Sequence, residues 1–337
     1  MRVRSFLVLG LVTVLVTAAA IVASIGGSRP HSTIAAAGPM LPGLSDRLGD
    51  VAAVVVREGG KTLTIRRADG GWALAEYADY PVRADKVRET ARALVQLEKV
   101  EAKTARADRW GRLSVEDTDA AGSTAKEVIL RNSAGEAVAD LIVGKSGSGV
   151  GGERNIYVRV PGDAQAWLAR GTVDADAKPG TWVDHKLIDV PAADVRQIRI
   201  VHPDKATLTL VREGEAGDFR VVELPAGGKG KLKRPDAVNE VIEAVADLQL
   251  EDLAPLAAQP FPADKTLRVT ITRTDGAVIA FETTEQNGEQ WLRFVDGKVP
   301  AGLPAAASAM AFRVPIWKIS PLDKKVGDLL EAPSGEA

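Results

Sequence analysis

The sequence predicts an α+β protein: two tandem repeats, each an antiparallel sheet with one main helix, after an N-terminal transmembrane helix. Three observations predict this class. A long uncharged apolar run stands near the N-terminus, one series of strand and helix patterns occurs twice in the same order, and the strand patterns are separated by short turns. Such turns leave no room for the long crossovers of a parallel sheet. A length of 337 residues suits two domains with appended segments.

Arg2 and Arg4 precede the stretch Phe6 to Ile25, 20 residues without a charge. A helix of that length spans about 30 Å, the hydrocarbon thickness of a bilayer. The positive charges stand before the span and the first acidic residue is Asp46, so the expected orientation keeps the N-terminus inside and exports the rest. A cleavable signal peptide also opens on basic residues but carries a shorter apolar core; the small-residue stretch Ala35-Ala36-Ala37 lies ten residues beyond the span. The length favours a retained anchor at the cytoplasmic membrane. Residues 1–28 are thus the cytoplasmic tip and anchor, and residues 29–50, rich in Gly, Pro, Ser and Ala, a flexible tether.

The first repeat is placed at residues 51–182 and the second at 183–317, followed by a C-terminal tail, 318–337. Lys61-Thr62-Leu63-Thr64-Ile65-Arg66 alternates as a half-buried strand does and is answered by Ala206-Thr207-Leu208-Thr209-Leu210-Val211. A second strand follows in each, Gly71 to Glu76 and Asp218 to Glu223, with an aromatic in second place. One amphipathic helix comes next. Val87, Ala91, Leu94, Val95 and Leu97 fall between Ala84 and Glu101, and Val238, Val241, Ile242, Val245 and Leu248 between Pro235 and Leu250; spacings of three and four put them on one stripe. Pro235 suits a first helical position. Hairpins are expected to turn at Ser133-Ala134-Gly135 and Thr274-Asp275-Gly276. Final strands run from Asn155 to Val160 and from Gln290 to Val295, and Trp182 and Trp317 mark the exits. The paired positions are offset by about 145 residues at the first strand, 151 in the helix and 135 at the exit. Packing in a core is the expectation for Trp72 with Phe219 and for Trp182 with Trp317.

Composition narrows the function. Lys+Arg 43 against Asp+Glu 45 gives a net charge of -2, so no basic field is present to hold nucleic acid. Cysteine is absent, which removes disulfides, thiolate metal sites and cysteine nucleophiles. Gly144-Lys145-Ser146 resembles the end of a phosphate loop, but the glycine that motif needs at 139 is Ala139. His31, His185 and His202 share no metal-ligand spacing. Asp184 beside His185 is expected to point to the opposite face of an extended segment. Asp117-Thr118-Asp119 with Gly122 departs from a calcium loop at Ala121 and Val128 and is expected to be a surface turn. Ser123, Ser146 and Ser148 have no histidine placed to activate them. Lys229, Lys231, Lys233 and Arg234 form the one basic cluster, a solvated loop or a contact for an acidic surface. The sequence nominates no catalytic, cofactor-binding or metal-ligating residue.

Gly70-Gly71-Trp72, the following helix, Val143-Gly144-Lys145 and Asn155-Ile156-Tyr157-Val158 resemble the bacterial family called domain of unknown function 4340, the second repeat more loosely. The resemblance covers about Val51 to Trp317. It implies one N-terminal membrane span and association with ABC-type transport systems of the gliding-motility or exopolymer kind, with no catalytic residue to carry over. The expectation is a non-catalytic, extracytoplasmic accessory or scaffold protein of a cell-envelope or ABC-type transport system, its partners being membrane transporter subunits. The alternatives are a ligand-binding module with a cleft between the repeats and an envelope hydrolase.

Overall fold

The computed structural model describes residues 38–68, 70–148, 154–214, 217–223 and 237–330. The apolar run Phe6 to Ile25, the tether through residue 37, His31, the end of the Gly-rich stretch at 149–152 and the basic cluster 229–234 lie outside the described residues. Among the described residues no helix is long and apolar enough to cross a membrane.

The protein is built mostly of antiparallel sheet with few helices. The first sheet contains β1 (Ala53–Glu58), β2 (Lys61–Ala68), β3 (Gly71–Leu74), β4 (Tyr80–Val82), β5 (Glu98–Thr104), β6 (Lys126–Arg131), β7 (Ala137–Ser148), β8 (Arg154–Arg159) and β9 (Ala166–Arg170). Its spatial order is β4-β3-β2-β1-β6-β7-β8-β9-β5. A two-stranded ribbon pairs β10 (Lys186–Asp189) with β14 (Asp247–Gln249). The second sheet contains β11 (Val195–Val201), β12 (Thr207–Arg212), β13 (Phe219–Val221), β15 (Asp252–Pro255), β16 (Leu267–Arg273), β17 (Val278–Gln286), β18 (Glu289–Phe294) and β19 (Met310–Val314), in the order β13-β12-β11-β16-β17-β18-β19-β15. Both sheets are wired alike. Four strands lead in from one edge of the first sheet, β4 to β1, and three from that of the second, β13 to β11; in each, four more extend the sheet from the innermost of these, and the far edge is a strand that follows the helix, directly in the first half (β5) and after the ribbon strand β14 in the second (β15).

The sequence explains the central strands and the turns. In β1 Val54, Val55 and Val56 are all buried; Val54 pairs with Ile65 on one side and Leu130 on the other. Both faces of this strand are covered, so it shows no alternation and the period-2 reading passes over it. The hairpins turn at the expected glycines. Gly135 (φ 83) and Gly276 (φ 85) both occupy the left-handed region. Gly135 N donates to Asn132 O and Gly276 N to Arg273 O, each at 3.0 Å.

The two main helices are α2 (Ala84–Gln96) and α3 (Ala237–Ala246); single turns stand before them, α1 (Leu44–Arg47), and after them, α4 (Ile316–Ile319) and α5 (Val326–Leu329). Val87, Thr90 and Leu94 bury one face of α2, and Val238, Val241, Ile242 and Val245 one face of α3. Both stop short of the expected ends at Glu101 and Leu250. The next apolar residues, Leu97 and Leu248, are fully buried but belong to extended chain that enters β5 and β14. Strand pairing there overrides a weak helical continuation.

Two boundaries differ from expectation. The tether ends by Gly38: Met40 and Leu44 are buried, and Met40 N donates to Leu97 O at 2.7 Å. The expected tail likewise begins in packed chain, with Ile319, Leu322 and Leu329 buried. In both places apolar residues within a polar composition seat the segment. A single hydrophobic cluster runs from Met40 to Leu329 through both sheets, and the Tyr80 and Phe312 rings, 6.1 Å apart at 65°, join β4 to β19.

Candidate functional site

Matching contacts brace the two sheets. Arg67 Nε donates to Val51 O at 3.0 Å and its guanidinium lies over Trp72; Arg212 Nε donates to Val195 O at 3.0 Å and lies over Phe219. Thr64 N donates to Glu76 Oε2 at 3.0 Å, and Thr209 N to Glu223 Oε2 at 2.7 Å. Trp72 and Phe219 are therefore each half-buried beneath an arginine, a cation–π seat rather than a place in the deep core.

Two concavities open on the seam between the sheets, and each is lined from both sides. The polar cleft, about 510 Å³, is lined by Glu58, Lys61 and Tyr77 of the first half, by Lys178 of the connection, and by Asp252, Trp291 and Arg313 of the second, among others. Its carboxylates are engaged by the protein. Glu58 accepts from Ala177 N at 3.2 Å and pairs with Lys126 at 3.2 Å. Asp252 Oδ1 accepts from Gly180 N at 2.9 Å and Leu253 N at 3.0 Å, and Glu289 pairs with Arg313 at 2.6 Å. Tyr77 stays protonated: burial, then the charges of Asp252 and Glu76, raise its phenol. The apolar groove, about 330 Å³, is walled by Tyr80, Leu187, Ile188, Val278, Val299 and Leu303, among others. Burial, then Asp184, push the Tyr80 phenol up to about 12, so it offers a hydrogen-bond donor and not a base.

The residues considered from the sequence fall elsewhere or serve the seam. Gly144-Lys145-Ser146 lies inside β7 and not at a phosphate-holding turn. A Cβ on Gly144 would stand 2.2 Å from Leu113 O and 2.7 Å from Val115 Cγ1, which is why glycine is needed there. Asp117 accepts from the buried Arg159, whose guanidinium also stacks on Trp110 at 3.8 Å and whose Nε donates to Val115 O at 2.7 Å. Ser123 Oγ donates to Glu116 at 3.3 Å. Asp184 and His185 are not joined: Asp184 accepts from Lys186 N at 3.0 Å, while His185 Nε2 meets Gly180 O at 2.9 Å. His202 is buried with no partner for Nε2 and lines neither seam concavity. Among the described residues no group of three or more His, Asp or Glu side chains is placed to hold a metal ion. Trp182 is fully buried as expected. Trp317 is a correction: it is 67 % exposed, because β19 leads straight into a short turn whose inward positions are taken by Ile319 and Leu322. The seam residues carry no local motif, since their neighbours come from distant parts of the chain, as Glu58 meets Ala177 and Asp252 meets Gly180.

The fold and seam define a two-sheet α+β protein with bracing contacts repeated in both halves. A family model described as Domain of unknown function (DUF4340) matches residues 72–268, more than half of the chain. The chain belongs to this family, and the match is one span from β3 through the seam connection into β16. No curated protein and no solved structure matches the chain.

Proposed function

We propose that this protein is a membrane-anchored, extracytoplasmic accessory or scaffold component that works by binding, attached to an ABC-type transport system or another envelope assembly. Its two halves are read as tandem copies of one unit, an interpretation supported by the common strand order, the matched hairpin glycines and the paired Arg–aromatic and Thr–Glu contacts. The anchor rests on the apolar run Phe6 to Ile25. The observation that carries a binding role is how charge is used at the polar cleft. Glu58, Asp252 and Glu289 hold backbone amides and basic side chains in place, which is structural work rather than the poise of an acid/base pair. The test is crosslinking in intact membranes followed by co-purification from solubilised material. Transporter subunits are the expected partners; recovery of the protein alone in repeated trials would sink the proposal.

The apolar groove favours a second reading, a module that binds a small apolar ligand between its halves. Ligand-dependent thermal stabilisation, absent when Val278 and Leu303 are changed to Asp, is the outcome that supports it.

A further inference from the structure

The apolar groove on the seam contains one polar group that the protein leaves unused. Tyr80, on the edge strand β4, is only 3 % exposed, and its ring meets Phe312 edge-on. Among the described residues its hydroxyl has no acceptor. It is not sealed in, as the partnerless Asp140 Oδ1 and His202 Nε2 are, and the hollow that Tyr80 lines is this groove. The phenol therefore presents its O–H to whatever occupies the groove. Around it the walls are apolar. Leu187 and Ile188 are consecutive in β10 yet both buried, where the ladder to β14 slips its register between Lys186 and Ile188. Val278 of β17 lines the same groove and is 61 % exposed, and Val299 and Leu303 come from the loop after β18. The rim is charged, but its cations are engaged. Lys186 pairs with Asp189 at 2.5 Å, and Arg273 lies 3.4 Å from Asp275 and 3.6 Å from Asp194. Asp184 accepts from Lys186 N and feels the charges of Arg83 and Lys186 without pairing with either among the described residues; its own charge reaches the Tyr80 phenol.

We propose that the groove binds a small uncharged molecule with an apolar body and one hydrogen-bond acceptor, a ketone, ester or ether oxygen, that takes the Tyr80 hydroxyl. The inference rests on the small-ligand reading of the groove and adds to it the acceptor and the lack of charge. The walls suit an apolar body, and Val278 is the side chain that such a body covers. The acceptor follows from the phenol. It stays protonated, so a guest with nothing to accept its proton would shut it away from water without a partner and lose affinity for that reason. The lack of charge follows from the rim. A carboxylate could accept the O–H but would enter the field of Asp184, while Lys186 and Arg273 are already held by other carboxylates. An ammonium group has no lone pair to offer. A neutral oxygen meets the phenol without either fault.

Three probes of equal carbon number separate these features: 2-heptanone has the acceptor, heptane lacks it, and heptanoate carries it with a charge. Affinity is read from the probe-dependent rise in melting temperature of the full-length protein in detergent micelles. Each probe is compared between variants in one detergent, so that its partition into the micelle cancels. Tyr80→Phe keeps the ring against Phe312 and removes a hydroxyl that bonds to nothing, so without a probe it should melt at or above wild type. It should weaken 2-heptanone by about three- to tenfold and bind heptane no less tightly than wild type. Asp184→Asn should leave 2-heptanone unchanged and strengthen heptanoate by at least about threefold. Binding of 2-heptanone untouched by Tyr80→Phe, or heptane weakened as much as 2-heptanone, overturns the acceptor. Heptanoate unmoved by Asp184→Asn overturns the preference for an uncharged ligand. In both cases, stabilisation that disappears when Val278 and Leu303 are changed to Asp leaves the groove standing as a binding site. A wild-type protein that none of the three probes stabilises removes that broader reading as well.

Discussion

Asp140 sits on β7 across from Ile129, beside the buried Glu127 of β6, and its Oδ1 finds no hydrogen-bond partner. Burial, then the charge of Glu127, push its carboxyl up to about 6, against the pull of Arg57 and Arg131. The unfolded chain gives up this proton near the ordinary carboxylate pKa, so between about pH 4 and 6 the folded state binds more protons than the unfolded one. Stability therefore falls as pH rises through that window. Asp140→Asn removes the penalty. It is expected to stabilise the protein by about 1 kcal/mol at pH 8, a figure reduced for the solvent screening of a half-buried group, and to make little difference at pH 4. Thermal melts of both proteins at the two pH values check this; equal melting temperatures at pH 8 refute it. Arg159 is the opposite kind of residue, a buried cation with every contact made. Arg159→Leu strips the donor from Val115 O and Asp163 O and leaves Asp117 unpaired. A loss of about 3 kcal/mol in urea unfolding is expected, from orphaned acceptors and lost packing on Trp110.

At the level of elements, the segment 107–125 covers the outer face of β6 to β8, burying Val115, Ala125 and Ile142. It can approach only because position 144 lacks a side chain. Gly144→Ala is expected to cost about 1 to 3 kcal/mol by forcing a methyl into Leu113 O, and to raise proteolytic cleavage within 107–125. Gly135→Ala has open space around it but a φ of 83; its cost, about 1 kcal/mol, should leave cleavage in that segment unchanged. Strands with alternating residues were readable: Leu63 and Ile65 alternate with half-exposed or exposed neighbours in β2, and β12 carries the same Leu-Thr-Leu alternation in sequence although Thr209 is itself buried. The edge strand β5, Glu-Lys-Val-Glu-Ala-Lys-Thr, was not. Its place is fixed by pairing to β9 with two register shifts, and nothing in so polar a run announces a strand.

For the whole molecule, the cluster from Met40 to Leu329 crosses the seam. The two halves should therefore unfold together, with one calorimetric transition whose measured and van't Hoff enthalpies agree. Phe312→Ala, which removes the ring that meets Tyr80 and Phe294, is expected to cost about 3 to 5 kcal/mol while the transition stays single. Two resolved transitions in the wild-type protein would show that the seam is a soft contact. Within this one polypeptide, alternation, helical stripes and turn glycines are local properties. They fixed the mainly antiparallel class, two helices and both hairpin turns from residues a few positions apart. Which strand lies at an edge, why Trp182 is covered and Trp317 bare, and where a cleft opens all depend on groups brought together from distant parts of the chain. Only packing decides those, because burial is a property of neighbours in space.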